Sequence, residues 1–374
     1  MQASFVERKL ARWLLRQTSG SGVRQVVSAF GAVASEIGTV RDHNEDQAVI
    51  VKCVDATGSS LVAALVADGI GGMRDGSRCA AIAIGAFVSQ LVFSAKQARN
   101  DTNSWMMKSF AAANDAVYRD YAGQGGSTLV AVLVHEKGIV HWGSAGDSRL
   151  YRFSQDELKQ VSVDDTIAGQ LGKKGPLSPE HTKLLQFVGM GSDFSPHFNK
   201  EAWRPNDQYI LTTDGVHYLS DNFETFQRVI THAEQIGQTT KRLIDLAKWC
   251  GGPDNATAAI LKLPLDFLKV SGHEADSLSV WDAFGELQVQ LLDDLEISQQ
   301  GRSGSQQLSV NLAENETSET DFPKAEQHVH QEVNAAPKKQ TKARNTQKTQ
   351  RKKKKPQADD EKVQLDIKFS SKSD

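Results

Sequence analysis

Five aspartates, each at an end of a strand-like run, constrain this chain more than any other feature in it. Asp46 closes Arg41-Asp42-His43-Asn44-Glu45 and opens the run 47–54. Asp68 follows the apolar run Leu61–Ala67 and leads into Gly69-Ile70-Gly71-Gly72. Asp147 lies in Gly146-Asp147-Ser148-Arg149 between two further runs, and Asp214 stands between Thr213 and Gly215. Asp254 follows Gly251-Gly252-Pro253, just ahead of the run 256–263. One Asp-Gly pair is ordinary turn chemistry. Five carboxylates at strand ends, most of them near glycine, are harder to explain that way. Glycine lets the backbone turn tightly and approach a ligand, and clustered like charges repel unless a cation sits among them. No Cys or His stands at ligand spacing beside them, so the donors are oxygens, which favours Mg²⁺ or Mn²⁺ over Zn²⁺.

The runs between these aspartates predict a mixed architecture. Strands are expected at 47–54 and 61–67, joined by a Gly/Ser turn, and as a meander at 128–135, 139–144 and 149–153. Further strands are expected at 208–213 and 256–263. Helices are expected over 75–98, 103–121 and, as a pair, 221–249. Strand pairs joined by short turns argue for antiparallel sheets in a layered α+β sandwich rather than a βαβ wind. The charge-free stretch Cys79–Ala95 is 17 residues long. It is short for a membrane span and reads as a buried helix.

Composition shifts near residue 265. Residues 274–332 hold 13 acidic side chains but only two basic ones, whereas 338–355 hold 10 basic and none acidic, so the net charge of −3 conceals a strong asymmetry. Segments this polar bury too little apolar surface to offset their ordering entropy, and a disordered tail is expected over 299–374. Within it, Val363, Leu365, Ile367 and Phe369 alternate with polar residues, an expected strand at 363–369. The Lys-rich run suits an acidic partner or a polyanion, or a contact with the acidic stretch before it.

Two amphipathic helices are expected outside the body, which is placed at 26–265. Val6, Leu10, Trp13 and Leu14 mark a basic one within 1–25, with packing on the body as its default role and membrane or partner docking as the alternative. Val280, Phe284, Leu287, Leu291 and Leu295 mark the second, within 266–298. Three cysteines, Cys53, Cys79 and Cys250, suit a reducing compartment. The first sixteen residues, broken by Glu7, Arg8, Lys9, Arg12 and Arg16, do not read as a secretory signal. A cytoplasmic protein is expected.

Taken in order, the motifs are RxxNED at 41–46, DGxGG at 68–72, GST at 126–128, GDSR at 146–149, TTDG at 212–215 and GxxDNAT at 251–257. Each alone is weak; six in sequence are strong. From about Ser35 to Leu263 the chain resembles the metal-dependent Ser/Thr protein phosphatases of the 2C type. The resemblance implies a four-layer α-β-β-α sandwich, with two antiparallel sheets flanked by helices and two metal ions, Mn²⁺ or Mg²⁺, at one end of the sheets. By the same resemblance, Asp68 bridges both ions and the Gly69 carbonyl binds one. Asp214 and Asp254 complete the first ion's ligands, and Asp46 with Glu45 holds the second ion, largely through water. Asp147, with Asp214, supports a third, weaker ion, and Arg41 grips the phosphate, for which a guanidinium fork is suited. The implied reaction is in-line attack on phosphoserine or phosphothreonine by a metal-activated water, without a covalent intermediate. The implied partners are a phosphorylated protein and a cognate Ser/Thr kinase system.

Two departures from the family pattern stand out. Ile70 occupies a position where many eukaryotic members carry a proton-donating His, so the leaving-group proton must come from elsewhere. The segment 163–189, a variable flap in the family, matches loosely, and its Lys173 and Lys174 read as a solvated loop or as contacts for phosphopeptide charge. His43 lies inside the first motif and is a minor candidate for a catalytic role, whereas His135, His141 and His217 read as structural or surface residues. A catalytically silent pseudophosphatase that scaffolds a phosphoprotein or kinase is the alternative function, and the retained aspartates argue against it.

Overall fold

The computed structural model describes residues 3–291 apart from 98–100, 137, 172–182, 218–222, 234, 263 and 265–276. The described residues fall in one unit, Met1–Val310; the second unit, Asn311–Asp374, lies outside them. In chain order the elements begin with α1 (Phe5–Leu14), β1 (Ser21–Val26), β2 (Gly31–Glu36), β3 (Asp46–Val54) and β4 (Ser60–Asp68). Then come α2 (Gly76–Lys96), α3 (Thr102–Tyr121), β5 (Leu129–His135), β6 (Ile139–Ala145), β7 (Arg149–Ser154), β8 (Glu157–Gln160) and α4 (Ile167–Gln170). The rest are β9 (His197–Ala202), β10 (Gln208–Thr212), α5 (Asp214–His217), α6 (Phe223–Thr231), α7 (Ile236–Trp249), β11 (Ala256–Lys262), β12 (Ser277–Trp281) and β13 (Glu286–Gln290).

The strands form two antiparallel sheets, ordered β1-β2-β11-β10-β7-β8 and β13-β12-β3-β4-β5-β6-β9. Ile50, Val62, Val66, Val130 and Val132 of the second sheet meet Val33, Tyr209, Leu211 and Leu261 of the first in one buried layer. On the outer face of the seven-stranded sheet, Val49, Val51, Leu61 and Leu65 pack with Ile84, Phe87, Leu91 and Phe110 of α2 and α3. On the outer face of the other sheet, Tyr151, Ile210 and Ile260 pack with Phe226, Leu243 and Ile244 of α6 and α7. Successive strand residues point to opposite faces, and both faces are covered, so the central strands are apolar at consecutive positions. The expected helix–sheet–sheet–helix sandwich is the observed one. Helix α2 is long and apolar enough to cross a membrane by composition alone, but most of it is buried in this core.

The described end of the sandwich corrects two expectations. The body does not stop at residue 265, and the amphipathic helix expected over 266–298 is, in its described part, the β12–β13 hairpin. The apparent helical stripe drew residues from two strands; Val280 and Leu287 are cross-strand partners. A tight turn decides the matter. Asp282 Oδ1 accepts the N–H groups of Phe284 and Gly285 at 2.8 and 2.6 Å, and β12 then pairs with the edge of β3. Strands β1, β2, β8 and β9 were not expected; β9 (HFNKEA) is polar and lies at a sheet edge, where only one side is paired.

Helix α1 also belongs to the body. Ser4 caps it reciprocally with Glu7, and Val6, Leu10 and Leu14 are buried against α2. The two helices approach at Gly85, where a Cβ would stand 2.9 Å from the Glu7 carbonyl oxygen. Just past α1, Arg16 forms an ion pair with Asp282 at 2.7 Å while its guanidinium lies 4.0 Å above the Trp13 ring. The elements flanking the central body at its two ends are thereby joined. The expected tail, its Lys-rich run and its strand at 363–369 lie outside the described residues, as do Lys173 and Lys174.

Candidate metal centre

The sheet registers bring the five aspartates to one end of the sandwich. Asp46, at the start of β3, is paired directly with Asp68, at the end of β4. In the other sheet Thr212 pairs with both Arg149 and Ala258, so Asp147, Asp214 and Asp254 leave neighbouring strands at the same end. A cleft of about 450 Å³ opens there. Its polar wall holds Arg41, Glu45, Asp68, Gly69, Asp147, Asp214, Asp254 and Asn255. Asp46 lies buried behind it.

Burial, first, and then mutual repulsion set the carboxylate pKa values. Asp46 is pushed up to about 7 by burial, with Asp214 and Asp254 adding to the rise and the Thr213 hydroxyl opposing it. Asp147 is likewise pushed up to about 7 by burial and by Asp214. Asp68 is raised well above the carboxylate range by burial and by Asp46, Asp214, Asp147 and Asp254. Asp214 is raised by burial and by Asp254. Four carboxyls that resist ionising together are what a cationic ligand would relieve.

The donor set fits a hard divalent ion. Every candidate ligand is an oxygen, and Asp46 Oδ1 is buried with no hydrogen-bond partner. Among the described residues no group of three or more His, Cys, Asp or Glu side chains closes into a ready-made cage.

Neutral groups lock the frame. Thr213 Oγ1 donates to Asp46 Oδ2 at 2.9 Å and accepts the Thr257 N–H at 3.0 Å. Thr128 Oγ1 accepts the Asp68 N–H at 2.9 Å, and the Asp68 carbonyl accepts the Thr128 N–H at 2.8 Å. Asn255 Oδ1 accepts the Glu45 N–H, while its Nδ2 donates to the carbonyls of Ile37 and His43. Gly69 donates its N–H to the Glu45 carbonyl, and a Cβ there would lie 2.3 Å from the Gly76 carbonyl oxygen, so no other residue fits. Arg41 Nη2 donates to Asp254 Oδ2 at 2.7 Å, a bond that raises the Arg41 pKa.

Several residues around the cleft escaped the sequence reading. Met73, Leu184 and Phe187 join Ile70 as the apolar lining of the cleft, with Lys183 among them. Thr213 and Asn255 sit inside quoted motifs, TTDG and GxxDNAT, and adjacency to an aspartate was their only local signal. His43 is exposed and does not line the carboxylate cleft; it lines a second cleft with Gln17–Gly20, 282–284 and Asp46. His135 bonds Asp55, His141 bonds Thr102 and His217 bonds Thr212, all away from the cleft.

Comparison with known proteins gives concordant results. The family model described as protein phosphatase 2C matches residues 18–249. The serine/threonine protein phosphatase PstP of Mycobacterium tuberculosis is 31% identical over 251 residues, which cover 61% of this chain and 44% of that protein. The chain thus spans less than half the length of this relative. Among solved structures, the catalytic domain of PstP in complex with two manganese ions is 27% identical, with a TM-score of 0.50, over 64% of this chain and 97% of that one. The phosphatase MsPP of Mycobacterium smegmatis, in complex with cacodylate, is 26% identical, with a TM-score of 0.52, over 64% of this chain and all of that one.

Proposed function

This chain belongs to the protein phosphatase 2C family, and on that premise we propose that it hydrolyses phosphoserine and phosphothreonine in proteins with the help of two Mn²⁺ or Mg²⁺ ions. The observation that carries the reading is the buried carboxylate cluster, with the orphaned Asp46 Oδ1 at its base and an arginine at its mouth.

Asp68 would bridge the two ions, with the Gly69 carbonyl, Asp214 and Asp254 on the first and Asp46 and Glu45 on the second; Asp147 with Asp214 would hold a third, weaker one. When bound, the ions supply Lewis acidity that ionises water near neutral pH and offsets phosphate charge. Arg41 binds the phosphate. A guanidinium has five N–H donors, so its bond to Asp254 leaves others for the non-bridging oxygens. Asp254 also orients Arg41 toward the cleft, which spares the ordering entropy of a long side chain on binding. Thr128 accepts the Asp68 N–H, Thr213 donates to the Asp46 carboxylate, and Asn255 accepts from and donates to the 37–45 backbone, so the three keep the ligand-bearing turns in register. Ile70 contributes shape only, because its side chain carries no titratable proton.

The natural substrate is then a phosphoprotein, and the opposing enzyme a Ser/Thr kinase. The PstP relative, named as a serine/threonine protein phosphatase, supports this class without naming a substrate. Retention of all five aspartates favours an enzyme over a silent scaffold. The test is turnover of a phosphothreonine peptide with Mn²⁺ titrated in and then chelated, wild type beside Asp68→Ala. Metal-dependent turnover that Asp68→Ala loses supports the reading; metal-independent turnover, or none in the wild type, overturns it.

A further inference from the structure

Two consecutive aspartates, Asp164 and Asp165, hold the Gly146–Arg149 turn on either side of Asp147. Asp164 takes Arg149 in a forked ion pair, with Nε at 3.0 and 2.9 Å from its two oxygens and Nη2 at 2.7 Å from Oδ2. Asp165 takes Gly146: its Oδ2 accepts the Gly146 N–H at 3.0 Å, and its own N–H donates back to the Gly146 carbonyl at 2.9 Å. The other oxygen, Oδ1, bonds His197 Nε2 on β9 at 2.8 Å. The Asp165 carbonyl accepts the Leu185 N–H at 2.7 Å, and Thr166 bridges to Leu184. Asp165 is 1% exposed.

These contacts meet at a mechanically weak point. The turn carries the chain from β6 in one sheet to β7 in the other, and Gly146 sits at φ +104°, where glycine has freedom that other residues lack. Rotation of its peptide would swing the Asp147 carboxylate out of the cleft. A buried carboxylate is a costly way to fill space; an apolar residue of like volume does that better. What a carboxylate adds here is two acceptors aimed at different elements, one at the turn and one at β9. The same stretch anchors, through the Asp165 carbonyl on Leu185 and the Thr166–Leu184 pair, the segment that carries Lys183 and Phe187 along the cleft.

We propose that Asp165, braced by His197, is a positioning residue that fixes Asp147 and the 183–187 wall of the cleft relative to each other. Its consequence for catalysis rests on the phosphatase reading above, whereas its effect on the turn does not. Neither residue falls in the motifs that marked the site in the sequence.

The test combines amide hydrogen exchange of the metal-free full chain with steady-state kinetics, for Asp165→Ala, Asp165→Asn and His197→Ala. Asp165→Ala is expected to speed exchange at 146–148 by roughly 10- to 100-fold while the central strands keep their protection. Asp165→Asn, which still offers Gly146 an acceptor, should restore most of that protection, and His197→Ala should give an intermediate loss. With a phosphothreonine peptide, kcat of Asp165→Ala should fall by about 100-fold, the scale of a small misplacement of reacting groups, and recover largely in Asp165→Asn. Unchanged exchange at 146–148, or exchange that speeds equally in every strand, overturns the proposal. Should Asp165→Ala fail to fold, unchanged exchange at 146–148 in His197→Ala overturns it. A wild type that turns over nothing defeats the phosphatase reading alone, because the exchange arm still decides the clamp.

Discussion

Asp46 and Asp68 are direct cross-strand partners in the β3–β4 ladder, two carboxylates paired in register at the end of a buried sheet. Like charges so placed destabilise a sheet. Thr213 donates one compensating hydrogen bond to the Asp46 carboxylate, whereas the Thr128 hydroxyl only accepts the Asp68 backbone N–H. That is too little to let both carboxyls ionise together, and the protein keeps the strain at the position where divalent ions would be held.

Removing one member of the pair should therefore separate stability from function. Asp68→Asn is expected to stabilise the metal-free protein by about 1–2 kcal/mol. It should also abolish the rise in melting temperature on adding Mn²⁺ and cut turnover at least about 100-fold. Thermal melts with and without Mn²⁺, beside peptide kinetics, check all three.

The carboxylate shifts set a pH dependence of definite sign. Asp46 and Asp147 have folded pKa values raised to about 7 by burial. A carboxyl raised in the folded state contributes stability that is complete below its unfolded value, near 4, and is lost as pH rises through the folded one. In the metal-free protein, Asp46→Asn should be on the order of 2 kcal/mol more stable than wild type above pH 7. That advantage should vanish toward pH 4. Urea denaturation of both proteins across this window measures the difference, and Mn²⁺ should shrink it at the alkaline end.

Asn255 ties three backbone groups to one side chain, accepting from Glu45 and donating to Ile37 and His43. Asn255→Ala strands partly buried groups on all three, at a cost of about 2–4 kcal/mol. Because those groups shape the 41–46 loop, turnover should fall by more than the stability loss explains. Denaturation midpoints and kcat at a temperature where both proteins are fully folded resolve the two effects.

Arg16 joins the stretch after α1 to the β12–β13 turn through Asp282 and stacks on Trp13. Arg16→Ala should cost about 1–3 kcal/mol, since it leaves the largely buried Asp282 without its cation. Limited proteolysis should then cut first near the 282–285 turn. Kinetics with a small aryl phosphate should change little, because the ion pair is remote from the carboxylate cleft.

Much of this fold was legible in the sequence because its signals are local. Apolar runs bounded by glycine marked β3–β7, β10 and β11, and aspartates at their ends marked the cluster. The β12–β13 hairpin was misread because the 280–291 stripe fits a helical period almost as well as two short strands. The choice fell to the unpaired edge of β3 and to the Asp282 turn, and a sheet edge has no signature in the segment that will cover it. Strand β9 was missed for the same reason: a polar edge strand is defined by its neighbour.

The candidate site divides along the same line. The five aspartates stood out because residue type and adjacency to a turn are properties of the chain, and the resemblance carried by the six ordered motifs added Arg41, Glu45 and Gly69. The structure alone set Asp46 against Asp68, joined Asn255 to a loop more than two hundred residues away, and placed Asp165 between Gly146 and His197. Those relationships depend on strand register and on hydrogen bonds between distant segments, which exist only once the two sheets have closed on each other.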